Sequence, residues 1–80
     1  MKYLLLSDSF NSQSIAVIKF IENYELLKDL FTQALSEHFC SEIEVKQIIL
    51  PKDGINGLVL YEDEFEEGLR EVSVEQITLY

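Results

Sequence analysis

One segment of this chain repeats its apolar residues at helical spacing over four turns. Leu27, Leu30, Phe31, Ala34, Leu35 and His38 recur every three or four positions, while Glu25, Lys28, Asp29, Thr32, Gln33, Ser36 and Glu37 take the other side. Asn23 stands where an N-cap belongs, and Glu25 lies in the first turn, beside the positive end of the helix dipole. The spacing predicts a helix over 24–39. One helix of that length cannot bury a core by itself, so the remaining segments must supply the surface it packs on.

Those segments read as strands. Residues 2–7 are a short apolar run, and 14–21 are rich in β-branched residues. A rival reading starts the helix at Ser14 and runs it to Phe39. Residues 42–50 open with strict alternation: Ile43 and Val45 point one way, Glu44 and Lys46 the other. Pro51-Lys52-Asp53-Gly54 and Asn56-Gly57 mark a turn region, with Asn-Gly as a hairpin signal. The next strand spans 57–65, Glu66-Glu67-Gly68 turns it, and 70–79 form the last strand. There Val72 and Val74 share one face and Ile77 and Leu79 the other, which a β-bulge near Glu75-Gln76 would reconcile. The expected fold is α+β: a single domain over 1–80 in the order β-β-α-β-β-β, with a five-stranded antiparallel sheet and one helix on one face.

Composition narrows the function. Fifteen acidic side chains against six basic ones give a net charge of −9. That field has the wrong sign for direct binding to nucleic acid. One Cys and one His leave no disulfide framework and no multi-Cys zinc site. The opening Met1-Lys2-Tyr3-Leu4-Leu5-Leu6 is too short an apolar run for an export signal, and no stretch reaches the roughly 20 apolar residues of a membrane span. The expectation is a soluble, cytoplasmic protein that does not contact membranes.

At least three strands are apolar on both faces. Tyr3 and Leu5 oppose Leu4 and Leu6; Ala16, Ile18 and Phe20 oppose Ile15, Val17 and Ile21; Leu58 and Leu60 oppose Val59 and Tyr61. A helix covers only one face, so the other is expected to meet a partner or a second copy. Leu4, Leu6, Ile18 and Leu60 are the residues named for such self-association as a homodimer.

The acids are unevenly placed. Residues 1–40 carry five acids and three bases, and residues 41–80 carry ten acids and three bases. The densest run is Glu62, Asp63, Glu64, Glu66 and Glu67, with Glu71 and Glu75 beyond. A calcium loop fails: counting from Asp63, position 3 is Phe65 and position 12 is Val74. Glu62, Glu64 and Glu66 would share one strand face about 7 Å apart, but an open strand offers no cleft to set two carboxylates to catalysis. Two readings remain: a solvated face that keeps the hairpin from aggregating, and a recognition surface whose carboxylates follow the phosphate spacing of nucleic acid. His38-x-Cys40 lacks further ligands for zinc. His38 reads as structural and Cys40 as a small buried hydrophobe. No phosphate-binding glycine loop and no nucleophile elbow occurs. No enzyme activity, cofactor or metal is expected.

The stretch from Ile15 to Phe39, with its Tyr24-Glu25-x-x-Lys28-x-x-Phe31 helix, then Val59-Leu60-Tyr61-Glu62-Asp63 and Val72-Ser73-Val74-Glu75-Gln76-Ile77, resembles small acidic proteins of phages and mobile elements. Some of these resemble inhibitors of host defence, including anti-CRISPR proteins that occupy nucleic-acid channels. The resemblance implies a protein-protein interaction module. It would be an inhibitor that acts as a nucleic-acid mimic on a basic, nucleic-acid-binding host protein, with the 62–75 hairpin as its contact. The alternative is a structural or assembly protein that self-associates through its apolar sheet face.

Overall fold

A computed structural model describes residues 2–10 and 13–78. In chain order the elements are β1 (Lys2–Asp8), β2 (Ser14–Lys19), α1 (Tyr24–Phe39), β3 (Ile43–Ile49), β4 (Gly57–Asp63) and β5 (Glu66–Thr78). The five strands form one antiparallel sheet in the order β2-β1-β5-β4-β3. This is the expected α+β architecture. The rival helix from Ser14 is excluded, because 14–19 is a strand paired with β1.

The helix begins and ends where its sequence says it should. The Asn23 side chain accepts a hydrogen bond from Leu26 N at 3.2 Å, which satisfies one of the amides a helix start leaves open. Leu27, Phe31 and Leu35 are buried at intervals of four, with Leu30 and Ala34 packed beside them. Cys40 closes the helix in the left-handed region, φ 54° and ψ 42°, donating its N–H to Ser36 O. His38 and Cys40 are both exposed, so His38 leaves the apolar stripe and Cys40 is not a buried hydrophobe. Phe39, between them, is the residue that packs against the core and stacks on Tyr61, which leaves His38 and Cys40 on the solvent side of the helix end.

Each strand turns alternate residues toward α1. Leu4, Leu6, Ile18, Ile43, Val45, Val59, Tyr61, Val72 and Val74 join Leu27, Phe31 and Leu35 in the core. The helix approaches the two edge strands, β2 and β3, more closely than the three central ones. The sheet therefore curls around it, and the face away from the helix is convex.

Three local features differ from the expected register. Residues 64–65, not 66–68, turn β4 into β5, because the Asp63 carboxylate accepts Phe65 N at 2.9 Å and closes the turn earlier. β5 shows no bulge at Glu75-Gln76: its pairing with β1 runs unbroken from Lys2↔Thr78 to Asp8↔Val72. Ile77 simply lies on the convex face opposite Tyr3. The irregularities fall elsewhere, at Leu6/Ser7 against β2, at Val45/Gln47 in β3, and between Tyr61/Asp63 and the start of β5, where Gly68 has φ 98°. Leu79 lies outside the described residues. β2 stops at Lys19 instead of reaching residue 21; Phe20 N still donates to Lys2 O at 3.0 Å, and the chain then turns toward the helix cap at Asn23.

The β3–β4 connection uses Asp53-Gly54 as its tight turn. Both have positive φ, 52° and 78°, and Lys52 and Ile55 exchange backbone hydrogen bonds at 3.0 and 2.9 Å across them. Asn56-Gly57 is not the turn. Gly57 is buried, and a Cβ there would stand 1.9 Å from Ile49 O. It is needed for close approach of two backbones, not for a positive φ.

Candidate acidic interface

Folding β3 onto β4 about Asp53-Gly54 brings two separate acidic stretches together. Ile43 pairs with Asp63 and Glu44 with Glu62. Glu42, Glu44, Glu62, Asp63 and Glu64 then ring one shallow depression of about 210 Å3 at the end of the hairpin. Glu44 and Glu62 are direct cross-strand neighbours of like charge, an arrangement that costs a sheet a few tenths of a kcal/mol, about 0.2–1. Lys46 relieves part of it: its ammonium lies 3.0 Å from Glu44 Oε1. The hydrogen bond with Glu44 holds the Lys46 pKa above its ordinary value; desolvation opposes this, and the charges of Glu44 and Glu62 add to it.

Neighbouring backbone holds the depression in shape. Ser41 Oγ donates to Asp63 Oδ2 at 3.2 Å, and Glu42 N donates to Glu64 Oε1 at 3.1 Å. Glu64 N in turn donates to Glu42 O at 3.1 Å. Fixed carboxylates lose less freedom on meeting a partner than mobile ones do.

The remaining acids do not extend a single row. Glu64 sits in the turn, and Glu66 begins β5 and pairs with Arg70. Glu62, Glu64 and Glu66 therefore do not share one strand face. Glu71 and Glu75 lie on the convex face of β5, with Ser73 between them, opposite Leu60 and Leu5. Among the described residues, the carboxylates of Glu67, Glu71 and Glu75 take no hydrogen bond or ion pair. The acidic ends of β3, β4 and β5 all lie at one end of the sheet. Lys2 and Lys19, together with the Lys52 turn, lie at the other.

The residues named for self-association divide sharply. Leu4, Leu6 and Ile18 are buried against the helix and offer nothing to a partner. Leu60 alone of the four lies on the convex face, half-buried. That face carries Tyr3, Leu5, Val17 and Ile77 on one side and Leu58, Leu60 and Ile49 on the other, separated by the polar Glu71-x-Ser73-x-Glu75 strip of β5. The central strand thus divides what the sequence suggests is one continuous apolar face.

From the sequence, Glu42 and Glu44 figure only as partners of His38 and Cys40 at a zinc site, not as part of the acidic surface. Centring the hairpin on Asp53-Gly54 alone would set Glu44 opposite Asp63; the bulge between Val45 and Gln47 shifts the register by one residue and brings Glu44 opposite Glu62. Among the described residues no three His, Cys, Asp or Glu side chains are disposed to hold a metal ion, and no helix is long and apolar enough to cross a membrane. Compared with protein-family models, with curated proteins and with solved structures, the chain gives no match.

Proposed function

We propose that this protein acts by binding, not by catalysis, and that its acidic end occupies the basic groove of a nucleic-acid-binding protein. The observation that carries this reading is the depression at the β3–β4 end. Five acidic residues line it, two of them, Glu44 and Glu62, directly opposed across the ladder, with Lys46 as the cation beside them. Stability does not favour such an arrangement, whereas a surface that competes with phosphates does. The finer reading is an inhibitor from a phage or mobile element, working in the cytoplasm against host defence, in the manner of anti-CRISPR proteins.

Electrostatic steering would speed the encounter and make it fall with salt. The test is capture of partners by the tagged chain from a host lysate at low and high salt, with identification by mass spectrometry. A basic nucleic-acid-binding protein should be retained at low salt, released at high salt and displaced by added DNA or RNA. Glu62→Lys combined with Glu64→Lys should abolish capture with the circular dichroism spectrum unchanged. Recovery of only untagged copies of the chain, or of a salt-resistant partner, overturns the reading.

A further inference from the structure

The two edges of the sheet are finished differently. β3 interrupts its outer edge with a bulge between Val45 and Gln47, and Glu44 and Lys46 stand beside it. Charges and bulges of this kind keep an edge from pairing with another chain. β2, at the other edge, has no strand beyond it among the described residues. Its one irregularity falls at its start, opposite Leu6 and Ser7, and leaves 16–19 in regular register with β1. The strand reads Ser-Ile-Ala-Val-Ile-Lys, with no acid, no proline and no charge before Lys19.

The bonding pattern shows which groups that edge leaves open. Phe20 N donates to Lys2 O at 3.0 Å. Inward and outward bonding alternate along a strand of an antiparallel ladder, so Ile18 and Ala16 also turn their backbone groups to β1, opposite Leu4 and Leu6. Val17 and Lys19 therefore aim both N–H and C=O away from the sheet. The Val17 side chain is 52% exposed and lies on the convex face beside Leu5. The edge thus offers a row of backbone donors and acceptors flanked by an exposed apolar side chain, which is what an added strand requires.

We propose that this edge pairs with the same edge of a second copy, antiparallel, about a two-fold axis at Ile18. Val17 and Lys19 of one copy then exchange backbone hydrogen bonds with Lys19 and Val17 of the other, and the two sheets become one. The Lys19 methylenes lie against the opposite Val17 while the ammonium reaches water. The Ile18 side chain stays under its own helix. Charge decides which edge two copies can share. The net charge is −9, so copies that meet must keep their acids apart. The acid-rich strands β5 and β4 lie two and three strand spacings from β2. At about 4.8 Å per spacing, the paired sheet holds the two β5 strands roughly 24 Å apart and the two β4 strands roughly 34 Å apart. Both separations exceed the screening length of ~8 Å at physiological ionic strength. Pairing β2 with β3 instead meets the bulge at Lys46 and, being head to tail, would not close on itself.

Sedimentation equilibrium of the full chain should give about twice the 9.3 kDa of one chain, falling to the single-chain mass on dilution. Val17→Pro removes an outward N–H and no bond to β1, so the chain should keep its circular dichroism spectrum and lose the dimer. Leu60→Lys, on the convex face away from this edge, should leave the dimer unchanged. Hydrogen exchange of the unmodified chain decides the matter if Val17→Pro does not fold: the Val17 and Lys19 amides should lose protection on dilution while Ile18 keeps it. A single-chain mass at the highest soluble concentration overturns the second copy as occupant, even where an added peptide protects the Val17 and Lys19 amides. A dimer that survives Val17→Pro, or that is lost in Leu60→Lys, moves the contact to the convex face and overturns the edge assignment. Exchange at Val17 and Lys19 that does not change with dilution overturns it as well.

Discussion

Gly57→Ala is the substitution whose cost can be worked most directly from the structure. The new Cβ would stand 1.9 Å from Ile49 O and 2.8 Å from both Leu50 C and Pro51 N. All three are backbone atoms, so no side chain can swing away. To bring the carbonyl oxygen back even to 3.0 Å, the two backbones must part by about 1 Å. The strain falls where β3 ends, beside the Ile49↔Leu58 pair. Overpacking of this kind costs typically about 1–3 kcal/mol, and a lost ladder hydrogen bond adds about 1. A total near ~3 kcal/mol lowers Tm by roughly 12–24 °C in a domain of this size. The control is Gly68→Ala, where φ is 98° but nothing lies within 4 Å of the added carbon. It bears only conformational strain, about 1–2 kcal/mol. Thermal unfolding followed by circular dichroism compares the two. If Gly57→Ala melts within a few degrees of the parent, or above Gly68→Ala, the close-approach argument is refuted.

Phe31→Ala removes a side chain with no solvent exposure at the centre of the helix face and should cost about 3–5 kcal/mol, read from the urea midpoint. Asn23→Ala removes the bond to Leu26 N and should cost about 1 kcal/mol, with helix loss confined to the first turn in hydrogen exchange. Tyr61 is raised in pKa chiefly by burial, against the opposing effect of Arg70. The folded state therefore holds this proton more tightly than the unfolded one, and the associated stability is complete below pH ~10 and is lost as pH rises through the folded value. Tyr61→Phe should flatten that alkaline loss, and near-UV absorbance should show one fewer phenol ionising above pH ~10 in the variant than in the parent.

What could be read from the sequence follows the strength of each local signal. The helix emerged to the residue because Asn23, the Leu27-Phe31-Leu35 spacing and the break after Phe39 agree with one another. The strands emerged because short apolar runs between turn residues leave few alternatives. Turn positions were harder to read. Asn56-Gly57 and Asp53-Gly54 carry nearly the same signal, and only the packing of Gly57 against Ile49 decides between them. The end of β4 was misplaced because Phe65 extends an apolar pattern that the Asp63 carboxylate cuts short through a hydrogen bond to its amide. The acidic site was half legible. Glu62 to Glu67 stand out as a run, but Glu42 and Glu44 join them only through strand pairing.

The place of β5 in the sheet has a consequence for how the molecule is made. It is the last strand in chain order and the middle one in space, flanked by β1 and β4. As the polypeptide emerges, β1–β2 and β3–β4 can each close as a hairpin, yet neither has its neighbour. Until β5 inserts, the sheet exists as two halves with raw inner edges, and the helix has no continuous surface to lie on. Lys2 finds Thr78 only at that moment. Assembly of the sheet must therefore wait for β5, as a single closing event with large sequence separation, and until then the chain depends on its charge to stay dispersed.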